Sequence, residues 1–347
     1  MNTPYPIYIG NDILPQIAPD IAAKNYTQVI VLADENTYRD CYPLLKPYLP
    51  AHKVIPILAG EEHKTLATCE KIWALLTELN LDRKSLIINL GGGVVGDLGG
   101  FIAGIYKRGI DFVQVPTTLL AMCDASVGGK VGIDFLYAKN QLGLFSMPKA
   151  VYICPRFLET LPKREWFSGF AEVVKHHLIA DAAAWKKLLF ATPQQIAIET
   201  LIRHSVNLKA EIVAQDFDEQ HIRKSLNFGH TIGHAIESYF LGFDGEKMLH
   251  GEAVAIGIIC ESHISFQKGF LSENELTEIS TYICSHFRLA DIPFFAYSHI
   301  FALMMQDKKN HNQLILCVLL RGIGKVKIGE PISFEDFCRS MNYFQKK

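Results

Sequence analysis

The 347-residue sequence lacks any apolar run approaching the ~18–20 residues of a membrane-spanning helix. Its longest strongly apolar stretch, Leu314 to Leu320, suits a buried strand. It also lacks an excess of charge of either sign: 34 lysines and arginines face 36 acids, a net charge of −2. That balance argues against a broad basic face for nucleic acid, which needs many phosphate-neutralising cations. It leaves room for a local pocket that takes a small anion. None of the eight cysteines stands in a Cys-x-x-Cys pair, so reduced, buried thiols are expected rather than a disulfide framework. The first residues, Met1 to Pro6, do not place an apolar segment after a basic one, and no signal peptide is expected. The expectation is a cytoplasmic protein with neither a membrane nor a nucleic-acid partner.

What is present supports two folded domains. Apolar residues make up 49% of the chain and charged residues 20%, enough for a sizeable core at this length. The first half alternates strand-like runs with amphipathic ones. Residues 29–33, 53–58, 85–90 and 112–115 read as strands, and 65–79 places Leu66, Cys69, Ile72, Trp73, Leu76 and Leu79 at helical spacing. This alternation predicts a parallel, doubly wound α/β sheet. The texture changes near 152–162. Helical patterns follow at 164–180, 181–191, 193–216, 219–241, 249–268 and 272–287, then a strand over 313–320 and a basic glycine turn, Arg321 to Lys325. A boundary near 155 is predicted, with an α/β domain over 1–155 and a mainly helical domain over 156–347.

The strand ending at Leu90 runs into Gly91-Gly-Gly-Val-Val-Gly-Asp97, which contains Gly-x-Gly-x-x-Gly. Glycines there let backbone N–H groups approach a pyrophosphate at a helix N-terminus. The plain alternative is a tight strand-to-helix turn. The loop does not follow the first strand, so the ribose-binding acid is sought elsewhere. Asp34, ending the strand 29–33, is the better candidate, although a helix cap would also explain it. Gly60-Glu-Glu-His-Lys64 is a second polar turn beyond a strand. Asp124-Ala-Ser-Val-Gly-Gly-Lys130 combines an acid, a hydroxyl, two glycines and a lysine, a cradle for phosphate or carboxylate that does not match a Walker A loop. Arg108, Lys139 and Asn140 stand nearby in the sequence.

The second half holds Glu172-Val-Val-Lys175, Asn227-Phe-Gly-His-Thr-Ile-Gly-His234 and His250-Gly-Glu252. His230 and His234 lie four residues apart, on one face of a helix beginning near Gly229. Thr231 stands where a zincin has glutamate, which argues against peptidase chemistry. Two histidines and a carboxylate make a catalytic metal set with a coordination position left open. Spacing does not choose among Glu172, Glu237 and Glu252 for the carboxylate. The residues alone point to a nucleotide-binding domain joined to a helical, metal-bearing one. A small, polyhydroxylated, anionic substrate is expected between them, and alcohol oxidation is the implied chemistry.

Taken in order, these motifs, with Gln114-Val-Pro-Thr-Thr118, Leu226-Asn-Phe-Gly-His-Thr231, Leu249-His-Gly-Glu252 and Asp307-Lys-Lys309, resemble the 3-dehydroquinate synthase family of sugar phosphate cyclases over about residues 30–325. The resemblance implies a Rossmann-like NAD-binding domain followed by a mainly helical metal and substrate domain. It implies conversion of 3-deoxy-D-arabino-heptulosonate 7-phosphate to 3-dehydroquinate and phosphate. The implied route is transient oxidation, β-elimination, re-reduction and aldol closure, with NAD and Zn2+ (or Co2+) as cofactors and a homodimer as the assembly. Carried over by motif, the metal ligands would be Glu172, His230 and His250, with His234 on the substrate side as proton relay. Lys175, Asp124, Asn227 and Arg223 would be catalytic. Arg108, Lys130, Lys139, Asn140, Lys209 and one of Lys308 or Lys309 would hold the substrate. NAD would meet Asp34, Asn36, Glu61, Lys64, Gly92, Gly93, Asp97, Thr117, Thr118, Lys130, Lys139 and Thr160. Arg223 and Asn227 favour this member over cyclases that make valiolone or deoxy-inosose precursors. A metal-dependent glycerol or alcohol dehydrogenase and a non-catalytic NAD-binding sensor are the remaining alternatives.

Overall fold

Residues 29–34 and 86–91 are almost wholly apolar, the pattern of strands covered on both faces. In the computed structural model every one of them except Asp34 is buried. The structure describes residues 3–136, 138–190, 195–241, 247–305 and 314–347. The chain divides into two units, Met1–Trp166 with Ile198–Glu211, and Phe167–Ala197 with Ile212–Lys347.

The strands of the first unit are β1 (Ile7–Ile9), β2 (Val29–Asp34), β3 (Lys53–Ile57), β4 (Leu86–Gly91), β5 (Asp111–Pro116), β6 (Lys130–Phe135), β7 (Ala138–Phe145) and β8 (Val151–Ile153). Six form a parallel sheet in the order β1-β8-β5-β4-β2-β3, and β6 and β7 form an antiparallel hairpin. From β2 the chain passes to β3 on one side, then crosses back to β4 on the other. The direction of winding therefore reverses between β2 and β4, and ligands of open α/β sheets bind outside the strand ends at such a switch point. Ile30, Leu32, Ile87 and Phe112 of the sheet share a core with Leu98 and Ile102 of the helix Gly93–Ile105 and with Cys69, Ile72 and Leu76 of the helix Leu66–Glu78.

The four long strands and the helix over 65–79 occur where the pattern predicts them. Strands β1 and β8 have three residues each, too few for a period to show. The hairpin escapes notice because the first half of β7 holds Lys139, Asn140 and Gln141 in succession. The chain first leaves the first unit after Trp166, beyond the change of texture at 152–162. Strand β8 closes the sheet there, and the turn Pro155–Thr160 stays with it.

The second unit is mainly helical. Its frame includes the helices Lys163–Ala180, His230–Leu241, His250–Gln267 and Glu273–His286. The expected helix over 219–241 is interrupted: a 3-10 helix, Ile222–Asn227, ends before a new helix begins at His230. Gly229, at φ +76°, makes the break. The basic glycine turn joins β9 (Ile315–Leu320) to a strand the sequence did not signal, β10 (Val326–Ile332), whose residues are mostly half-exposed or exposed. Among the described residues no helix is long and apolar enough to cross a membrane. Six of the eight cysteines are buried.

The helices His230–Leu241 and His250–Gln267 meet backbone to backbone at Gly257. A Cβ there would fall inside the van der Waals envelope of the Gly229 carbonyl oxygen and 2.9 Å from the Gly233 nitrogen. Neither backbone can give way without breaking helical hydrogen bonds. Gly257→Ala is therefore expected to destabilise the protein by about 2 kcal/mol, overpacking outweighing the ~1 kcal/mol that alanine contributes in an ordinary helix. Urea unfolding measures the difference.

Candidate active site

The carboxyl ends of β2, β4 and β5 carry the first group of predicted residues. Asp34 ends β2 and caps the helix Glu35–Asp40: its Oδ1 accepts from Thr37 N at 2.8 Å. The capping role weighed for it is thus real, and one carboxylate oxygen is committed to it. Asn36 is exposed in the first turn of that helix. Gly91 ends β4, and Gly92 stands at the N-cap of Gly93–Ile105 with no side chain to bond the first N–H groups. Thr117 follows β5; its N–H bonds the Gly91 carbonyl at 3.0 Å, and its buried hydroxyl has no partner. Thr118 accepts from Ala121 N at 3.1 Å. Thr160 is exposed, with its hydroxyl beside the Cys41 thiol.

A second group forms one charged network. Lys64 is buried, with its Nζ 2.8 Å from Asp97 Oδ2, 3.6 Å from Glu61 Oε1 and 2.6 Å from Asn140 Oδ1. Lys139 reaches the same Glu61 oxygen at 3.3 Å. Asp134, which the sequence did not single out, ties the network down: its N–H bonds the Lys64 carbonyl and its Oδ1 accepts from Asn140 N, both at 2.8 Å. Burial works against the Lys64 ammonium, but Asp97, Glu61 and Asp134 outweigh it and raise its pKa. Burial raises the Asp97 carboxyl, opposed by Lys64. Burial and then Glu61 hold Asp134 up to about 6.

Asp124 lies in a π-helical turn, Ala121–Ala125, a device common at functional sites. Lys209 Nζ bonds both Asp124 Oδ1 at 2.8 Å and its carbonyl at 2.7 Å. Lys130 is exposed at the start of β6. Arg108 is exposed too; it and Lys107 both hold positive φ. Lys308 and Lys309 lie outside the described residues.

In the second unit three helices converge on one carboxylate. Glu172 is fully buried on the helix Lys163–Ala180, with Lys175 one turn on and paired to its Oε2. Its Oε1 lies 3.3 Å from His230 Nε2 and 3.3 Å from His250 Nε2. Metal bonds of ~2.0–2.2 Å at tetrahedral angles put ligand atoms ~3.3–3.6 Å apart, so these two edges have the dimensions of a zinc or cobalt site. The remaining ring nitrogens are held as such sites require. His230 Nδ1 faces the Phe228 carbonyl at 3.0 Å, and His250 Nδ1 faces Glu237 Oε2 at 3.3 Å. His234 adds a third imidazole, its ring centre 4.9 Å from that of His230 and 5.6 Å from that of His250. Glu237 therefore orients a histidine, and Glu252 closes its own helix end by accepting from Leu249 N at 2.9 Å. His250 is brought in because Gly251 lets its helix press on Ser168, whose Oγ accepts from Gly251 N at 2.9 Å.

Desolvation would raise the Glu172 carboxyl, but Lys175 and the two histidines hold it well below the usual range. Burial and then Lys175 push His230 down. For His250, Glu237 and Glu172 overcome burial and the net direction is up.

Arg223 is buried in the 3-10 helix Ile222–Asn227. Its guanidinium donates to the Phe217 carbonyl at 2.6 Å, and its N–H to Asp216 Oδ2 at 3.0 Å. Asn227 Nδ2 donates to Glu219 Oε1 at 2.8 Å. Glu219 was missed by sequence reasoning. Its position four residues before Arg223 was the available signal, and its positive φ marks it in the structure.

The profile described as 3-dehydroquinate synthase N-terminal matches residues 54–168, and that described as 3-dehydroquinate synthase C-terminal matches 169–310. The chain belongs to the 3-dehydroquinate synthase family. It is 43% identical over 340 residues to the 3-dehydroquinate synthase of Sulfurovum sp., covering 95% of this chain and 92% of that one. It is 36% identical over 347 residues to that of Parabacteroides distasonis, covering 98% of each. Among solved structures, 2-epi-5-epi-valiolone synthase from Streptomyces hygroscopicus, with NAD+ and Zn2+ bound, superposes with a TM-score of 0.87. That structure is 25% identical, with 100% of this chain and 98% of that one covered.

Removing the Lys64 ammonium leaves the Asp97, Glu61 and Asp134 carboxylates together, with Lys139 still on Glu61. Lys64→Met is expected to cost roughly 3 kcal/mol near pH 8. Without Lys64 the folded-state carboxyls titrate above their unfolded values, so the folded state binds the extra protons. Stability then falls as pH rises through those folded-state values. The variant should therefore recover part of its loss on acidification from pH ~8 to ~5. Thermal midpoints over that range, compared with those of the unsubstituted protein, check it.

Proposed function

We propose that this protein is a 3-dehydroquinate synthase. It would convert 3-deoxy-D-arabino-heptulosonate 7-phosphate to 3-dehydroquinate and phosphate, with NAD regenerated in each turnover. The observation that carries the reading is the buried Glu172 carboxylate flanked at 3.3 Å by two imidazoles, in a chain of this family. Supporting it is the glycine turn at the switch point of a parallel sheet, where the helix N-terminus has no side-chain cap.

The residues fit both cofactors. The uncapped N–H groups after Gly92 and the unpartnered Thr117 hydroxyl suit the polar groups of a dinucleotide. Asp34 would offer a ribose the oxygen not used in its cap. Glu172, His230 and His250 would hold Zn2+ or Co2+, their outer partners keeping Nε2 of both rings available. When bound, NAD would supply a hydride acceptor and donor, and the divalent metal a charge that lowers the pKa of substrate hydroxyls.

The chain's own residues would do the rest. Lys130, Lys139, Lys209 and Arg223 would bind the phosphate and carboxylate of the substrate as charge-assisted partners, with Asn140 and Asn227 orienting it through their amides. Arg108 and one of Lys308 or Lys309 would join them by motif. Lys175 keeps Glu172 ionised, and His234 would hold and pass the proton at a ring nitrogen. Glu61, Lys64, Asp97, Thr118, Asn36 and Thr160 complete the proposed NAD contacts. The reading carries with it a cytoplasmic homodimer.

Purified protein supplied with NAD and Zn2+ or Co2+ is expected to release phosphate from the heptulosonate phosphate without accumulating NADH. Turnover of sedoheptulose 7-phosphate alone would instead mark a different cyclase, and net NADH formation a dehydrogenase. His250→Ala should lower phosphate release by more than about 100-fold, since losing even an outer partner of a metal ligand costs 10–100-fold. Its NAD affinity, measured by fluorescence titration, should stay near that of the unsubstituted protein.

A further inference from the structure

Glu261 is fully buried on the helix His250–Gln267 and belongs to none of the motifs above. Its carboxylate faces the start of the neighbouring helix, His230–Leu241. Oε2 accepts from Gly229 N at 2.6 Å, and Oε1 accepts from Ile232 N at 3.2 Å. The two bonded N–H groups bracket His230 in the chain. We propose that Glu261 is a positioning residue for the metal site, fixing the backbone that presents His230 to Glu172.

The geometry makes the clamp specific. The first N–H groups of a helix have no partners within it, so they fix the helix end only if something outside accepts them. Two donors separated by the His230 turn need two acceptor oxygens on a rigid support. A carboxylate has both, and its negative charge suits the positive end of the helix dipole. The support is rigid because the two helices touch at the adjacent turn. A Cβ on Gly229 would stand 2.6 Å from Ile258 Cγ1 and 3.2 Å from the Ile258 nitrogen. With the backbone held on both sides, the Phe228 carbonyl can set the ring through Nδ1, leaving Nε2 directed at Glu172. An amide in place of the carboxylate keeps one acceptor and turns an NH2 toward the other N–H. The helix start then loosens on one side of His230.

The inference rests on the metal reading proposed above, and metal binding tests it apart from turnover. The full chain, stripped with a chelator, is titrated with Co2+ while the d–d absorption and competition with a chelating dye are followed. Glu261→Gln is expected to bind Co2+ about tenfold or more weakly and to shift the d–d bands, the scale seen for residues that orient metal ligands. Ser265→Ala is the comparison: its hydroxyl bonds the Glu261 carbonyl and the Leu320 N–H, one turn further along the same helix. It should lower thermal stability and leave the spectrum and affinity unchanged. Glu261→Gln with lowered stability but the original spectrum and affinity would make Glu261 an ordinary structural residue and overturn the proposal. If that variant does not fold, Glu261→Asp replaces it, with an intermediate loss expected and an unchanged affinity overturning. An unsubstituted protein that gives no Co2+ spectrum overturns the metal reading itself, and the inference with it.

Discussion

A carboxylate wholly removed from water costs several kcal/mol unless charges and donors surround it. Glu172 is that carboxylate, and the second unit is arranged around the need to satisfy it. Lys175 comes from the same helix one turn on, so one element delivers both signs of charge. The two imidazoles come from the first residues of two other helices, so each ring's position depends on where its helix starts. Those starts are set by contacts that admit little slack: Gly251 against Ser168, and Gly257 against Gly229.

The first unit meets a different constraint. A parallel sheet needs crossovers, and the crossovers reverse direction once, between β2 and β4. The reversal falls where Ala33 pairs in register with Leu90, so that Asp34 and the Gly91–Gly93 turn follow side by side at the strand ends. The glycine turn follows the fourth strand in sequence and so departs from the usual order of dinucleotide folds. In space it borders the switch point, and that is the relation such a loop requires. The constraint is topological; few side-chain contacts are needed to enforce it.

Periodicity made the long elements legible, because a buried strand such as 86–91 or an amphipathic helix such as 66–78 repeats its pattern several times. It was silent on β1, β8 and β10, which are short or half-exposed. It ran the 3-10 segment at 222–227 into the next helix, because the break lies in the φ of a single glycine. At the site, residue types and spacing suggested two histidines and a carboxylate, yet left three glutamates open. Distance is what separates them: Glu172 faces both Nε2 atoms, Glu237 faces Nδ1 of His250, and Glu252 closes a helix end. Asp134 and Glu261 escaped notice for a related reason. Each acts through a neighbour distant in sequence or through backbone N–H groups, and neither relation leaves a motif.

The net charge of −2 conceals how the cations are held. Lys64 is paired with Asp97, Lys175 with Glu172 and Lys209 with Asp124, each across a short ion pair. None of the three therefore waits as a bare positive charge for an anion. In the proposed reaction, a phosphate or carboxylate arriving at such a lysine must share it with the resident acid or displace that acid. The free energy of binding is then a difference between two pairings, with one desolvation already met in the folded protein. Such an arrangement gives up part of the Coulombic attraction between substrate and cation. In return the lysines are held in place before the substrate arrives, and less side-chain freedom is lost on binding. A sum over the sequence cannot register this, because it counts each lysine and its acid as zero whether they meet or not.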